Sequence, residues 1–131
     1  KNHLLPAPDK KKYSKEHLLL LIYIYYYKSI LSIGDIQSLL EPLTQRYFQK
    51  DGEMNMQSIY EEVFSLEKEQ VEKMKQDVTE KYETASRIFP EAEAEDQEFL
   101  RIFSFICLLS FDVYVKKQVI EKLIDELPKK S

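Results

Sequence analysis

The sequence predicts an all-α protein, and three observations lead to that prediction. Glycine is scarce, at 2 of 131 residues, and charged residues make up 32% of the chain, which is a composition typical of long helices. Residues 14–40 contain a helix-like stretch that is apolar almost all round, followed by a shorter unit that is apolar on one side. The second half of the chain spaces its apolar residues three and four apart, as amphipathic helices do.

The first predicted helix covers residues 15–29. Ser14 is a suitable N-cap, and Glu16 in the first turn suits the helix dipole. No charged residue occurs from Leu18 to Tyr27, so this helix is expected to be surrounded by protein. The β-branched and aromatic residues leave a strand over residues 20–27 as the alternative, but the cap and the length favour a helix.

Four further helices are predicted, over residues 33–40, 43–49, 55–88 and 96–127. Ser32 is the N-cap of the second, with Asp35 three residues later. Pro42 is expected to kink that helix or to open the next one. Asp51 and Gly52 form a turn signal.

The helix predicted over residues 55–88 has a narrow apolar seam on a charged surface, and Glu69–Lys73 and Asp77–Lys81 are stabilising i,i+4 pairs. A narrow seam is typical of coiled coils and pairs within the chain or with a second copy. We expect a homodimer through this helix or the outer half of the last one. The alternative is an intramolecular hairpin of the two long helices.

The last helix is apolar on nearly all sides over residues 99–115 and then narrows to a stripe. It is therefore expected to enter the core, to contact the first helix, and then to emerge. Replacing Leu21 or Ile106 by alanine is expected to cost about 2–5 kcal/mol. The predicted core consists of Leu18, Leu21, Ile22, Ile102, Phe103, Ile106 and Leu109.

Charge is divided unevenly along the chain. Residues 1–50 hold eight Lys and Arg against four Asp and Glu, whereas residues 51–131 hold eleven against nineteen. This asymmetry suits a basic end that meets a polyanion, but it also fits a chance clustering of a few exposed lysines.

The residues that usually carry catalysis or bind metals show no informative arrangement. His3, His17 and Cys107 do not have zinc-site spacing, and the acidic residues at 91–96 fit a solvated loop better than a cation site. We therefore predict no enzyme activity, metal or cofactor, and the sequence identifies no small-molecule ligand. The single cysteine and the absence of a long apolar segment favour a cytoplasmic protein without a membrane span.

Four tyrosines cluster in the first helix, at Tyr23, Tyr25, Tyr26 and Tyr27. Adjacent helical positions point in different directions, so the four cannot form one stacking platform. Most are expected to pack in the protein, and the alternative is a pocket edged by Tyr23, Tyr26 and Tyr27.

Three segments in the first third of the chain resemble a known family: LLPAP at residues 4–8, KYSKEHL at residues 12–18 and LSIGDIQSLL at residues 31–40. They are similar in order and spacing to the turn, the wing and the following helices of MerR-type winged helix-turn-helix regulators. The whole chain looks like a bacterial family known as domain of unknown function 1836, which is thought to be MerR-related on its N-terminal side.

This resemblance implies a DNA-binding transcriptional regulator. Lys10, Lys11 and Lys12 would then contact phosphates, and Tyr13 would close a short wing. The helix-turn-helix pair would lie upstream of Lys1, so DNA binding belongs to the full-length protein, and this chain alone should not recognise a specific site. The implied domains are residues 1–50, the MerR-like part, and residues 51–131, a helical hairpin packing on it as one domain. The alternative function is a non-enzymatic helical protein-interaction module that retains only the MerR-like scaffold.

Overall fold

A computed structural model describes residues 4–8 and 13–128 of the chain, and this part is all-α. Its five helices are α1 (Lys15–Tyr27), α2 (Ile33–Tyr47), α3 (Met56–Phe64), α4 (Glu67–Arg87) and α5 (Ala94–Asp125), and it contains no strand. The all-α prediction is confirmed, and residues 20–27 are helical. No helix in the described ranges has the length and apolar content that a membrane crossing requires.

The chain forms two compact units. The first consists of Lys1–Ser65 and Val119–Ser131, and the second of Leu66–Gln118. Helix α5 is continuous, so its last turns belong to the first unit and the rest to the second. The predicted domain division at residue 50 stays a prediction.

Helices α1, α2 and α3 pack against one another in the first unit. Helix α1 contributes Leu19, Leu20 and Tyr23 to the core, and α5 contributes Ile124. The predicted contact between the first and last helices stays a prediction. The buried core consists of Leu19, Leu20, Tyr23, Leu31, Ile36, Leu40, Met56 and Ile124.

Both predicted N-caps are present. The Ser14 hydroxyl accepts the His17 backbone N–H at 3.4 Å, and the Ser32 hydroxyl accepts that of Asp35 at 3.0 Å. These bonds satisfy N–H groups that the first turn of a helix leaves without an intrahelical partner. Helix α3 begins in the same way at Asn55, whose side chain accepts the Ser58 N–H at 2.9 Å.

Two predicted helix boundaries are wrong. Pro42 lies inside one continuous helix, α2, because a single proline removes only one backbone hydrogen bond and the surrounding turns persist. Conversely, the helix predicted over residues 55–88 is interrupted at Ser65 and Leu66. The Ser65 hydroxyl donates to the Glu62 carbonyl at 2.7 Å, a local bond that competes with regular helix geometry.

The predicted core is largely wrong. Leu18, Leu21, Ile102, Phe103 and Ile106 are exposed, and Ile22 and Leu109 are half-buried. Because the first helix is apolar on every side, its pattern could not specify which face would be buried. The end of α5, which was expected to leave the core, instead contributes Ile120 and Ile124 to the core. Much of residues 99–115, which were expected to be buried, is exposed.

The second unit has little interior of its own. Within residues 66–118 only Ala85 and Ser104 are buried. The rings of Tyr82 on α4 and Phe105 on α5 meet edge-to-face at 5.4 Å. The two predicted ion pairs, Glu69–Lys73 and Asp77–Lys81, are present along α4.

Candidate functional site

The buried side chain of His17 organises the N-terminal part of the first unit. Its ring is completely shielded from solvent. Nδ1 accepts the Ser14 backbone N–H at 3.0 Å, which places the ring hydrogen of the neutral imidazole on Nε2. Nε2 then donates to the carbonyl oxygens of Pro6 at 3.1 Å and Ala7 at 3.3 Å. The ring of His17 therefore joins the start of α1 to the segment around Pro6.

Two aromatic rings complete the surroundings of His17. The rings of Tyr13 and Phe48 are each nearly perpendicular to the imidazole, at centroid distances of 4.8 and 5.0 Å. Tyr13 remains 62% exposed. A ring that packs on one side and faces water on the other suits a residue at the border of a binding surface.

The start of α1 is also tied to the end of α2. Both carboxylate oxygens of Glu16 accept the Gln49 backbone N–H, at 3.0 and 3.1 Å. Gln49 has a φ of 57°, a left-handed conformation that costs an L-residue roughly 1–2 kcal/mol. The carboxylate therefore stabilises a strained helix end beside the His17 ring, since Phe48 precedes Gln49.

Lys10, Lys11 and Lys12 form a basic run in the sequence. The contacts of His17 hold the segments that precede and follow this run. Pro6 and Ala7 precede the run and bind the His17 ring by hydrogen bonds, and Tyr13 follows the run and packs on the same ring. The three predicted phosphate-contacting lysines, Lys10, Lys11 and Lys12, lie outside the described residues. The fourth predicted residue, Tyr13, lies at the rim of this site.

The tyrosines of α1 pack mainly as an aromatic cluster. Tyr23 and Tyr27 stack at a centroid distance of 6.3 Å, and Tyr23 also meets the Tyr60 ring of α3 edge-on at 6.1 Å. Tyr26 lies against Phe64 at 5.9 Å. Burial, and then the neighbouring Tyr27 and Tyr60, raise the pKa of Tyr23, and burial raises that of Tyr27. The role of Tyr23, Tyr26 and Tyr27 as a pocket edge stays a prediction.

Two clefts of the first unit lie beside α2 and are lined by other residues. One, of about 390 Å³, separates the segment around Leu5 from Gln37 and Thr44. The other, of about 350 Å³, lies between Pro42 and Leu127. Glu41 and Gln45 line both clefts, and no cluster of acidic, histidine or cysteine side chains suited to a metal occurs in the described residues.

The sequence predictions missed the linkage of Ser14, His17, Glu16 and Gln49. Ser14 and His17 have the spacing of an N-cap and its N3 residue, so a reciprocal capping pair was detectable locally. The reach of His17 to Pro6 and Ala7 was not, because it depends on how the preceding segment folds back. The bond between Glu16 and Gln49 likewise spans 33 residues.

Residues 1–63 match the model of a family described as a domain of unknown function (DUF1836). This segment includes α1, α2 and most of α3, and with them the His17 site. Neither the curated proteins nor the solved structures contain a match to the chain.

Proposed function

We propose that this protein is a DNA-binding transcriptional regulator of MerR-like type, in which Lys10, Lys11 and Lys12 contact the phosphate backbone. The observation that supports this most directly is the attachment of both flanks of the basic run to the buried His17 ring. Because the segments on both sides of the run are anchored, the run has less conformational entropy to lose when its three lysines bind a row of phosphates.

The charge distribution supports the same function. Residues 1–50 have an excess of basic side chains, and residues 51–131 have an excess of acidic ones. A polyanion is therefore attracted to the part of the sequence that contains the basic run and repelled by the remainder. Glu16 is the acidic residue of α1 and follows the run closely in the sequence. Its carboxylate accepts a hydrogen bond from the Gln49 backbone N–H.

The experiment is a salt series of duplex DNA binding, measured by fluorescence anisotropy with the full-length protein. We expect affinity to fall steeply with salt, because bound lysines displace counterions from DNA. Changing Lys10, Lys11 and Lys12 together to Glu should weaken binding to all sequences about equally. The slope of log K against log salt should become shallower by about one per lysine removed.

A charge-matched variant provides the control. Lys50, Lys68 and Lys122 are exposed lysines outside the basic run, and changing them to Glu alters the net charge by the same amount. Equal weakening in both triple variants would assign binding to overall charge and would contradict the proposal.

The second candidate function is a helical protein-interaction module, which the exposed apolar side chains of α4 favour. Met74, Val78 and Tyr82 lie along one face of α4 and are each 41–51% exposed. In that case the lysine changes would leave partner binding intact, and charged substitutions at Met74 or Val78 would abolish it.

A further inference from the structure

The cleft between Pro42 and Leu127 brings together charged and apolar side chains of the first unit. Its volume is about 350 Å³, which is at the lower end of the roughly 300–1,000 Å³ typical of small-molecule sites. One wall is the outer side of α2, and the other is the end of α5 with the residues that follow it. A ligand that fills this cleft is therefore small and meets both polar and apolar groups.

Glu41 and Arg46 bring opposite charges to the cleft without pairing with each other. Residues five apart on a helix are separated by about 140° around the axis and about 7.5 Å along it, whereas ion pairs form between residues three or four apart. No basic residue lies three or four positions from Glu41, and no acidic residue lies three or four positions from Arg46. Within the part of the chain that the structure describes, neither side chain forms an ion pair or a hydrogen bond. Both charges are therefore available to a ligand.

Pro42 adds a backbone acceptor to the same cleft. Because proline has no backbone N–H, the Ser38 carbonyl lacks the helical hydrogen bond that residue 42 would otherwise donate. Ser38 and Pro42 both line the cleft, and Ser38 shares a face of α2 with Glu41, three residues later. Hydrogen-bond acceptors therefore lie toward the start of α2, and the Arg46 guanidinium, a donor, lies one turn after Pro42.

The α5 side of the cleft is apolar. Ile124 is 5% exposed and belongs to the core of the first unit, so the floor of the cleft reaches that core. Leu127 is half-buried and lies beside it in the sequence, three residues later. An apolar group that packs on these two side chains is removed from water, which favours binding.

We propose that this cleft binds a zwitterion with an apolar side chain, either a free amino acid such as leucine or a short apolar peptide. The ammonium group donates to the Glu41 carboxylate and the Ser38 carbonyl, and the ligand carboxylate accepts from the Arg46 guanidinium. The apolar side chain packs on Ile124 and Leu127. A simple cation or anion would pair with only one of the two charges, and an uncharged ligand would pair with neither. The proposal does not depend on DNA binding.

The first test is isothermal titration calorimetry of the complete chain with leucine and, separately, with the dipeptide Leu-Leu. We expect saturable binding at one site per chain for at least one of the two probes. Tighter binding of leucine would identify a free amino acid as the ligand, and tighter binding of Leu-Leu would identify a peptide. Absence of saturable binding for both probes would overturn the proposal.

Substitutions then test the two charges. Glu41→Gln and Arg46→Gln should each raise the dissociation constant of the better probe at least tenfold, and because both residues are exposed, both variants should keep the fold of the wild type by circular dichroism. Glu53→Gln and Arg87→Gln are the matched controls, since they remove the same charges at exposed positions outside the cleft. Equal weakening in the controls would assign binding to overall charge and would overturn the proposal.

Analogues of the better probe test the same contacts without altering the protein. Its amide lacks the carboxylate that Arg46 binds, and its N-acetyl form lacks the ammonium group that Glu41 binds. Each analogue should bind the wild type at least tenfold more weakly than the zwitterion. An analogue that binds as tightly as the zwitterion would overturn the ion pair whose group it lacks.

Discussion

At the scale of single residues, His17 connects the start of α1 to neighbouring segments of the first unit. One neutral ring accepts the Ser14 N–H, donates to the Pro6 and Ala7 carbonyls and supports the rings of Tyr13 and Phe48. Its removal would leave buried polar groups without partners, which costs about 1–3 kcal/mol for each unsatisfied group. The histidine is therefore the link between the first turn of α1 and the segment that precedes the basic run.

The buried tyrosines make stability depend on pH in the alkaline range. The raised pKa values of Tyr23 and Tyr27 mean that the unfolded chain ionises first as pH rises. Their contribution is fully present below the ordinary tyrosine pKa, near 10, and is lost as pH rises through the folded values. Urea midpoints should therefore be unaffected by these tyrosines at neutral pH and fall as pH rises above about 10.

Phenylalanine variants test this assignment. Tyr23→Phe and Tyr27→Phe should each flatten the alkaline fall in urea midpoint. The exposed Tyr25, whose ring lies under the Lys28 ammonium at 5.8 Å, provides Tyr25→Phe as the control. A pH dependence that is identical in all three variants would show that the fall has another origin.

At the scale of helices, the sequence predicted which segments are helical better than it predicted their inward faces. Caps at Ser14 and Ser32 are local signals, and both are confirmed. In contrast, Leu20 and Leu21 are indistinguishable in a segment that is apolar on every side, yet Leu20 is fully buried and Leu21 is exposed. Only the packing of α1 against α2 and α3 determines this choice.

The burial difference between these two leucines gives a direct prediction. Leu20→Ala should lower the free energy of unfolding by about 2–5 kcal/mol, because it leaves a cavity in the core. Leu21→Ala should cost well under half as much, since Leu21 is already 46% exposed. Chemical denaturation of both variants under the same conditions provides the comparison, and equal losses would mean that α1 buries a different face.

At the scale of the whole chain, the two units differ in how much they bury. The first unit has a core formed by α1, α2, α3 and the end of α5. The second has only Ala85 and Ser104 buried. The composition predicted the helical content of the second unit. It could not predict whether the apolar residues of that unit are covered by the same chain or by another one. The family match over residues 1–63 falls within the first unit and includes the His17 site.

The role of the anchored flanks in DNA binding can be measured through the DNA affinity of His17→Ala across a salt series. All three lysines remain in this variant, so the salt slope should stay as in the wild type. The affinity should nevertheless fall several-fold, because the flanks of the basic run are released and must be ordered on binding. Ser32→Ala, which removes the α2 cap at a cost of about 1 kcal/mol, should bind like the wild type. Wild-type affinity in His17→Ala, with circular dichroism showing both variants folded, would contradict the account.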